Sequence, residues 1–193
     1  LSEPVTQATL RITGTFWSLD AGLANRRHFP AIHWLRSYSL YHPLFKDWYR
    51  ENMPEDFETL RDRASALLQR ESELQEIVQL VGPDALQDDQ RLIIEVGKML
   101  REDFLQQSSF SEIDAHCPLE KAYGMLRAIL FFYDEASAAL KRGMLMDEIL
   151  NLKQIDEIAR MKEVTKDEFP AYIKGWLERL PEAFGAKAAA GGT

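Results

Sequence analysis

Cysteine is almost missing from this sequence: Cys117 is the only one in 193 residues. No internal disulfide is possible, and such a chain suits a reducing setting. Long apolar runs are missing too. The strongest, Ala128-Ile129-Leu130-Phe131-Phe132, falls far short of the ~18 residues that a membrane span needs, and no signal-peptide pattern is present. Positive charge is in deficit, with 23 Lys and Arg against 31 Asp and Glu, for a net charge of -8. That balance disfavours nucleic acid and anionic lipid as general partners, although Arg26-Arg27 could still meet a phosphate. Neither the phosphate-loop pattern G-x-x-x-x-G-K-[ST] nor the dinucleotide pattern G-x-G-x-x-G occurs. The four histidines, His28, His33, His42 and His116, lack metal-ligand spacing, so no metal site is expected. Nothing links a Ser, a His and an Asp into a triad, and no catalytic residue is expected in this chain. An opening Leu1-Ser2-Glu3-Pro4 without Met reads as a cut inside a longer polypeptide.

What is present is a globular composition, 46% hydrophobic, on a length that suits one domain with a fragment of a second. Ala8 to Leu19 are rich in Thr, Ile, Phe and Trp and predict a strand. A short helical piece follows over Ala21 to Arg27, closed by Pro30, which biases Phe29 away from the helical region. A strand, a short helix and a loop cannot bury a core alone, so residues 1–41 read as the edge of an α/β domain. That segment is expected to be the least ordered part before the tail.

From Pro43 onward the period is helical. A long helix is expected from Pro54 to Val81, with Phe57, Leu60, Ala64, Leu67, Leu68, Leu74, Ile77 and Val78 spaced by three and four. Gly82-Pro83 stops it, and a second helix starts at Gln87 to Asp89, carrying Leu92, Ile93, Val96, Met99, Leu100 and Phe104. The short break predicts an antiparallel helical hairpin. A third helix is expected from Pro118 to Arg142, with Leu119, Tyr123, Leu126, Ile129, Leu130 and Tyr133 on one face and Gly143 as C-cap. Shorter helices follow over Met146 to Lys162 and Thr165 to Leu180, the latter with Thr165 and Glu168 as a capping box. Residues 186–193 read as a flexible tail. The fold class is mainly α: a helical bundle with a long hairpin, preceded by a short strand and helix remnant of an α/β domain.

Three stretches invite a functional reading. Arg26-Arg-His-Phe-Pro-Ala-Ile32 leads into Trp34, Tyr38 and Tyr41, much aromatic surface for one irregular segment. It is either core filler or a ring on which a flat ligand lies. Phe104-Leu-Gln-Gln-Ser-Ser-Phe110 places a second aromatic after polar amides. Phe110 either packs in the core or joins Phe29 in holding a nucleobase, with Gln106 or Gln107 adding hydrogen bonds. Gly82-Pro-Asp-Ala-Leu-Gln-Asp-Asp89 is either a solvated hairpin turn or an acidic tip that touches a basic or rotating partner.

Four segments together resemble the C-terminal part of the catalytic A subunit of vacuolar and archaeal-type rotary ATPases. They are Ser2-Glu-Pro-Val-Thr-Gln7; Phe16-Trp-Ser-Leu-Asp-Ala21; Arg26 to Ile32 with Trp34-Leu35 and Ser37-Tyr-Ser-Leu-Tyr41; and Asp103-Phe-Leu-Gln-Gln107 with Phe110, running into Cys117-Pro-Leu-Glu-Lys121 and Met125-Leu126. The resemblance implies that Phe29, with Pro30, lies against adenine and that Gln107 and Phe110 complete that pocket. It implies that Gly82, Pro83, Asp84, Leu86, Asp88 and Asp89 form a lever on the central stalk. It also implies that residues 1–41 end a P-loop nucleotide-binding domain, that 42–185 are a helical C-terminal domain, and that the phosphate loop, the Mg ligands and the catalytic glutamate lie upstream.

The parent would then bind ATP or ADP with Mg, and this part alone would hold no nucleotide tightly and be inactive. It would alternate with B subunits in an A3B3 ring in the cytoplasmic head, peripheral to the membrane, while protons or sodium ions cross. A free-standing helical adaptor without a nucleotide role is the alternative from another class. A rotary or secretion ATPase that moves protein is a second, which the Ser37 to Tyr41 and Cys117 to Lys121 segments disfavour by resemblance.

Overall fold

The three-and-four spacing between positions 57 and 81 becomes a 25-residue helix in the computed structural model, which describes residues 3–188. The chain divides into two compact units, Leu1–Glu58 and Thr59–Thr193.

In the first unit the expected strand over Ala8 to Leu19 is mostly replaced by a helix. Pro4–Ile12 forms α1 with its proline at the start, where a missing N–H costs nothing. Its threonines do not break it, because their hydroxyls bond back along the helix: Thr9 Oγ1 to the Val5 carbonyl at 2.9 Å and Thr13 Oγ1 to the Thr9 carbonyl at 2.8 Å. Only Thr15–Phe16 (β1) is extended, paired antiparallel with Tyr38–Ser39 (β2), Thr15 opposite Ser39 and Phe16 opposite Tyr38. Between them Ala21–Asn25 (α2) is capped by Asp20, whose carboxylate accepts the Leu23 N–H at 2.9 Å. The helix stops at Asn25 rather than Arg27, since Arg27 turns to a left-handed φ of 59°. A 3₁₀ turn, His42–Phe45, and α3, Lys46–Asn52, realise the helical reading after Pro43.

The long helix, α4, starts at Phe57 instead of Pro54. Pro54 to Asp56 form a turn before it, in which the Pro54 carbonyl accepts the Phe57 N–H at 3.0 Å. α4 ends at Val81, and a 3₁₀ turn, Pro83–Ala85, leads into α5, Asp88–Met99.

In the second unit Glu71 of α4 lies far from that turn and against the far end of α5, which sets the two helices antiparallel, as expected. The approach is close: Gly97 lies against the Glu71 side chain, which leaves no room for a Cβ. Glu71 itself is buried and ion-paired to Arg101 at 3.2 Å. α5 does not end where its apolar face suggests. It runs into a π-helical segment, Leu100–Leu105, in which the Gln106 N–H reaches back to the Arg101 carbonyl at 3.0 Å.

α6, Leu119–Lys141, is the middle of the core and packs on both α5 and α9, Phe169–Ala188. Its expected face is only part of what it buries. Leu126, Ile129 and Leu130 are inside, but so are Met125, Ala128, Phe132, Ala136 and Ala139, while Leu119 is exposed. A helix apolar on most sides is a central helix. Phe132 meets Phe184 of α9 with ring centroids 5.6 Å apart, beside the buried Trp176 and Leu180. α6 closes in a Schellman motif: the Met144 N–H bonds the Ala139 carbonyl and the Gly143 N–H the Leu140 carbonyl, with Gly143 at φ 97°.

The helix expected over Met146 to Lys162 is split. Met146–Leu150 (α7) ends at Asn151, whose side-chain amide bonds the Asp147 carbonyl at 2.7 Å, and Lys153–Arg160 (α8) starts afresh. α9 begins at Phe169 rather than Thr165; the Thr165 hydroxyl bonds the Glu168 carboxylate at 2.7 Å, and three turn residues intervene. Of the expected tail, Ala186 to Ala188 belong to α9 and 189–193 lie outside the described residues.

Candidate functional site

Phe29 sits in the first unit on a loop whose shape is set by polar contacts. The His28 N–H bonds the Leu23 carbonyl at 2.9 Å, and the Asp20 N–H bonds the Ala31 carbonyl at 2.9 Å, so α2 and the segment after it are tied at both ends. His28 is buried beneath Trp34, ring centroids 5.6 Å apart, and Trp34 also stacks on His33. An Arg36–Asp20 ion pair braces the same loop; the Leu23 N–H and that guanidinium hold the Asp20 carboxyl below its usual range. With His28 and Leu23 filling the interior, the next residue faces out. Phe29 is 50% exposed, and its bond to Pro30 is cis. Core filler is therefore not its role within this unit.

Phe110 sits in the second unit on a loop that follows the π-helical segment. Lys162 Nζ closes that segment by donating to the carbonyls of Glu102 at 2.8 Å and Gln106 at 3.3 Å, a cation at a helical C-terminus. The ends of the loop are then joined. Gln107 donates its amide N–H to the Asp114 carbonyl at 3.1 Å, and the Asp114 carboxylate accepts the Ser108 N–H at 2.6 Å. Phe110 stands at the apex, 100% exposed, so the core reading of this ring does not hold. Gln107, expected as a base contact, gives an amide N–H to the loop. Asp114 and Lys162 are absent from the sequence-based expectations. Neither stands in a recognisable motif, and both act across six or more positions of sequence.

Burial raises the carboxyl of Asp103 in the π-helical segment to about 6, against the pull of Lys162 and Lys98 and with the push of Glu102 and Glu95. Lys121 is buried and donates to the carbonyls of Lys162 and Val164, both at 2.7 Å, and burial lowers its pKa.

The hairpin tip is built from Gly82, in the left-handed half of conformational space at φ 87°, and the turn Pro83–Ala85. Its apolar neighbours Leu80 and Val81 are exposed, as are Asp88 and Asp89 in the first turn of α5. Part of the acidity is offset locally: Arg91 pairs with Asp88 at 3.1 Å and with Asp147 at 3.2 Å, and the Asp147 hydrogen bond raises its pKa. A cleft of about 820 Å³ opens beside the tip, lined by Asp88, Asp89, Ile93, Tyr133 and Leu145 among others. Among the described residues no group of three or more His, Cys, Asp or Glu side chains could hold a metal ion. Among them no helix is long and apolar enough to cross a membrane.

A helical hairpin with an exposed tip, following an aromatic loop in the chain, has a counterpart among known proteins. The family model described as the C-terminal domain of V and A type ATP synthase matches residues 46–150. The chain belongs to this family. Similar curated proteins include the A subunit of the A-type ATP synthase of Methanopyrus kandleri, 55% identical over 183 residues, which are 95% of this chain and 31% of that protein. The corresponding A subunit of Pyrococcus horikoshii is 55% identical over 186 residues, 95% of this chain and 19% of that protein. The chain thus spans less than a third of the length of these relatives. Among solved structures, NeqB of Nanoarcheaum equitans, described as a unique ATP synthase subunit, matches with a TM-score of 0.53 at 20% identity, covering 65% of this chain and 29% of that one. At that identity the likeness speaks to the fold, the mainly helical architecture of a V and A type C-terminal domain.

Proposed function

We propose that this chain is the C-terminal part of the catalytic A subunit of a V/A-type rotary ATP synthase or ATPase, which couples ATP hydrolysis or synthesis to the movement of protons or sodium ions across a membrane. The observation that carries the reading is 55% identity to the A subunit of an A-type ATP synthase across 95% of the chain. Residues 1–41 would end the nucleotide-binding domain and 42–185 form the helical domain. The complete polypeptide would alternate with B subunits around a central stalk, in a head peripheral to the membrane. Mg and the phosphates would be held by residues that this sequence does not contain, so the chain alone would not hydrolyse ATP.

Within that reading, Phe29 and Phe110 each offer a ring to adenine, with Pro30 beside the first and Gln107 shaping the loop of the second. Two exposed rings on hydrogen-bonded loops support this, because stacking needs a face that is open and already oriented. The turn from Gly82 to Asp89, comprising Gly82, Pro83, Asp84, Leu86, Asp88 and Asp89, would press on the stalk and convert nucleotide state into rotation. Replacing Phe29 by Ala in the complete enzyme should raise the KM for ATP by about tenfold, the equivalent of a stacked ring. A KM equal to that of the parent enzyme would refute the adenine role.

A further inference from the structure

The Phe110 loop has a feature that its ring alone does not explain. Asp114 is 5% exposed, yet its hydrogen bonds among the described residues run to backbone groups, an amide and a hydroxyl, with no cationic side chain among them. A buried carboxylate is costly unless its oxygens are satisfied. Here the Ser108 N–H meets Oδ2 at 2.6 Å, a short charge-assisted bond. The Asp114 backbone is used as well: its carbonyl accepts the Gln107 amide at 3.1 Å, and its N–H bonds Ser111 Oγ at 3.3 Å. Backbone bonds from Ser111 to the Ser108 carbonyl at 3.2 Å and from Ala115 to the Ser111 carbonyl at 2.9 Å fill the turn between. None of these contacts involves the Phe110 ring, which is 100% exposed.

We infer that Asp114 is a positioning residue for the Phe110 ring: its carboxylate clamps Ser108 so that the loop presents the ring outward in one orientation. This rests on the nucleotide reading above. The clamp at Ser108, with the Gln107 amide on the Asp114 carbonyl, restricts the loop backbone and lowers the ordering cost when a flat ligand arrives. Lys162 anchors the other side of the loop by fixing the end of the π-helical segment through the Glu102 and Gln106 carbonyls. Asp114 and Lys162 act through the loop backbone and not on the reacting phosphates, so their failure should appear in binding and not in the chemical step.

The test uses the complete enzyme with Phe110→Ala, Asp114→Ala and Asp114→Asn. Phe110→Ala should raise the KM for ATP about tenfold. Asp114→Ala should raise it by at least half as much while kcat stays within about twofold of the parent, the pattern of lost ground-state binding. Asp114→Asn keeps an oxygen that can accept the Ser108 N–H and should restore KM to within about twofold of the parent. If Phe110→Ala raises KM and Asp114→Ala does not, or if Asp114→Asn is as impaired as Asp114→Ala, the positioning role is wrong. If Phe110→Ala itself has no effect, the nucleotide reading fails, and this inference fails with it. Should Asp114→Ala not assemble, hydrogen exchange of the Gln107 to Ala115 peptide decides: slow exchange in the parent and in Asp114→Asn supports the clamp, and free-loop exchange in the parent overturns it.

Discussion

The two units put the same residue types to opposite uses. In the first, Val5, Trp17, Leu19, Phe29, Leu40, Tyr41, Leu44, Phe45 and Trp48 are exposed, and among the described residues Leu23, His28 and Met53 reach the interior. In the second, Trp176, Phe132, Phe184 and a set of Leu, Ile and Met side chains are buried almost completely. What holds the first unit together is polar: the Asp20 cap, the Arg36–Asp20 pair, the Ser18 N–H on Ser37 Oγ at 3.0 Å and one short strand pairing. What holds the second is packing around α6. A short segment cannot enclose a core, which leaves the apolar side chains of the first unit exposed. The first unit is thus held by polar contacts around a small interior, and the second by a packed core.

The contrast can be broken most strongly through the core. Phe132→Ala should destabilise the second unit by about 3–5 kcal/mol, whereas Trp17→Ala in the first should change stability by about 0.5 kcal/mol or less. Chemical denaturation of the two variants measures both, and equal losses would deny the contrast. Next in size is the buried Glu71–Arg101 pair. Glu71→Ala removes the carboxylate while leaving the guanidinium in place, and should cost about 3 kcal/mol; Glu71→Gln, which keeps the Gln75 contact, should cost less. A melting temperature unchanged in Glu71→Ala would show that the hairpin is not locked there.

A smaller effect should follow pH. The folded-state pKa of Asp103 lies near 6, above its ordinary value of 3.8. The folded chain therefore holds that proton more tightly than the unfolded chain does. The stability this contributes is present below pH ~4 and is lost as pH rises through ~6. Asp103→Asn should accordingly raise the melting temperature more at pH ~7.5 than at pH ~4.5. A difference that stays constant with pH would mean that Asp103 titrates normally, outside the influence of its burial and of Lys162, Glu102, Lys98 and Glu95.

The sequence disclosed the parts governed by a repeating pattern. α4, α5 and α6 follow from apolar spacing, and the ends of α6 from Pro118 and Gly143. It misled where local propensity and context disagree. Thr and Ile over positions 8–12 suggest extension, yet Pro4 opens α1, and the helix accommodates Thr9 with its hydroxyl bonded back to the Val5 carbonyl. Asn151 interrupts a periodic stretch because its side chain competes for a backbone carbonyl. The π-helical segment left no trace, since one extra residue per turn alters no apolar face over so short a span. Phe29 and Phe110 were visible as aromatics in irregular segments, but exposure is decided by neighbours: His28 and Trp34 occupy the interior beside one, and the Asp114 clamp lifts the other.

The most direct test of the central claim is photolabelling of the complete enzyme with an azido-adenine analogue of ATP, followed by mapping of the modified peptides. Label on the segments that carry Phe29 and Phe110, suppressed by excess ATP, is the predicted result. Label confined to other parts of the enzyme would contradict the assignment of these two rings to adenine.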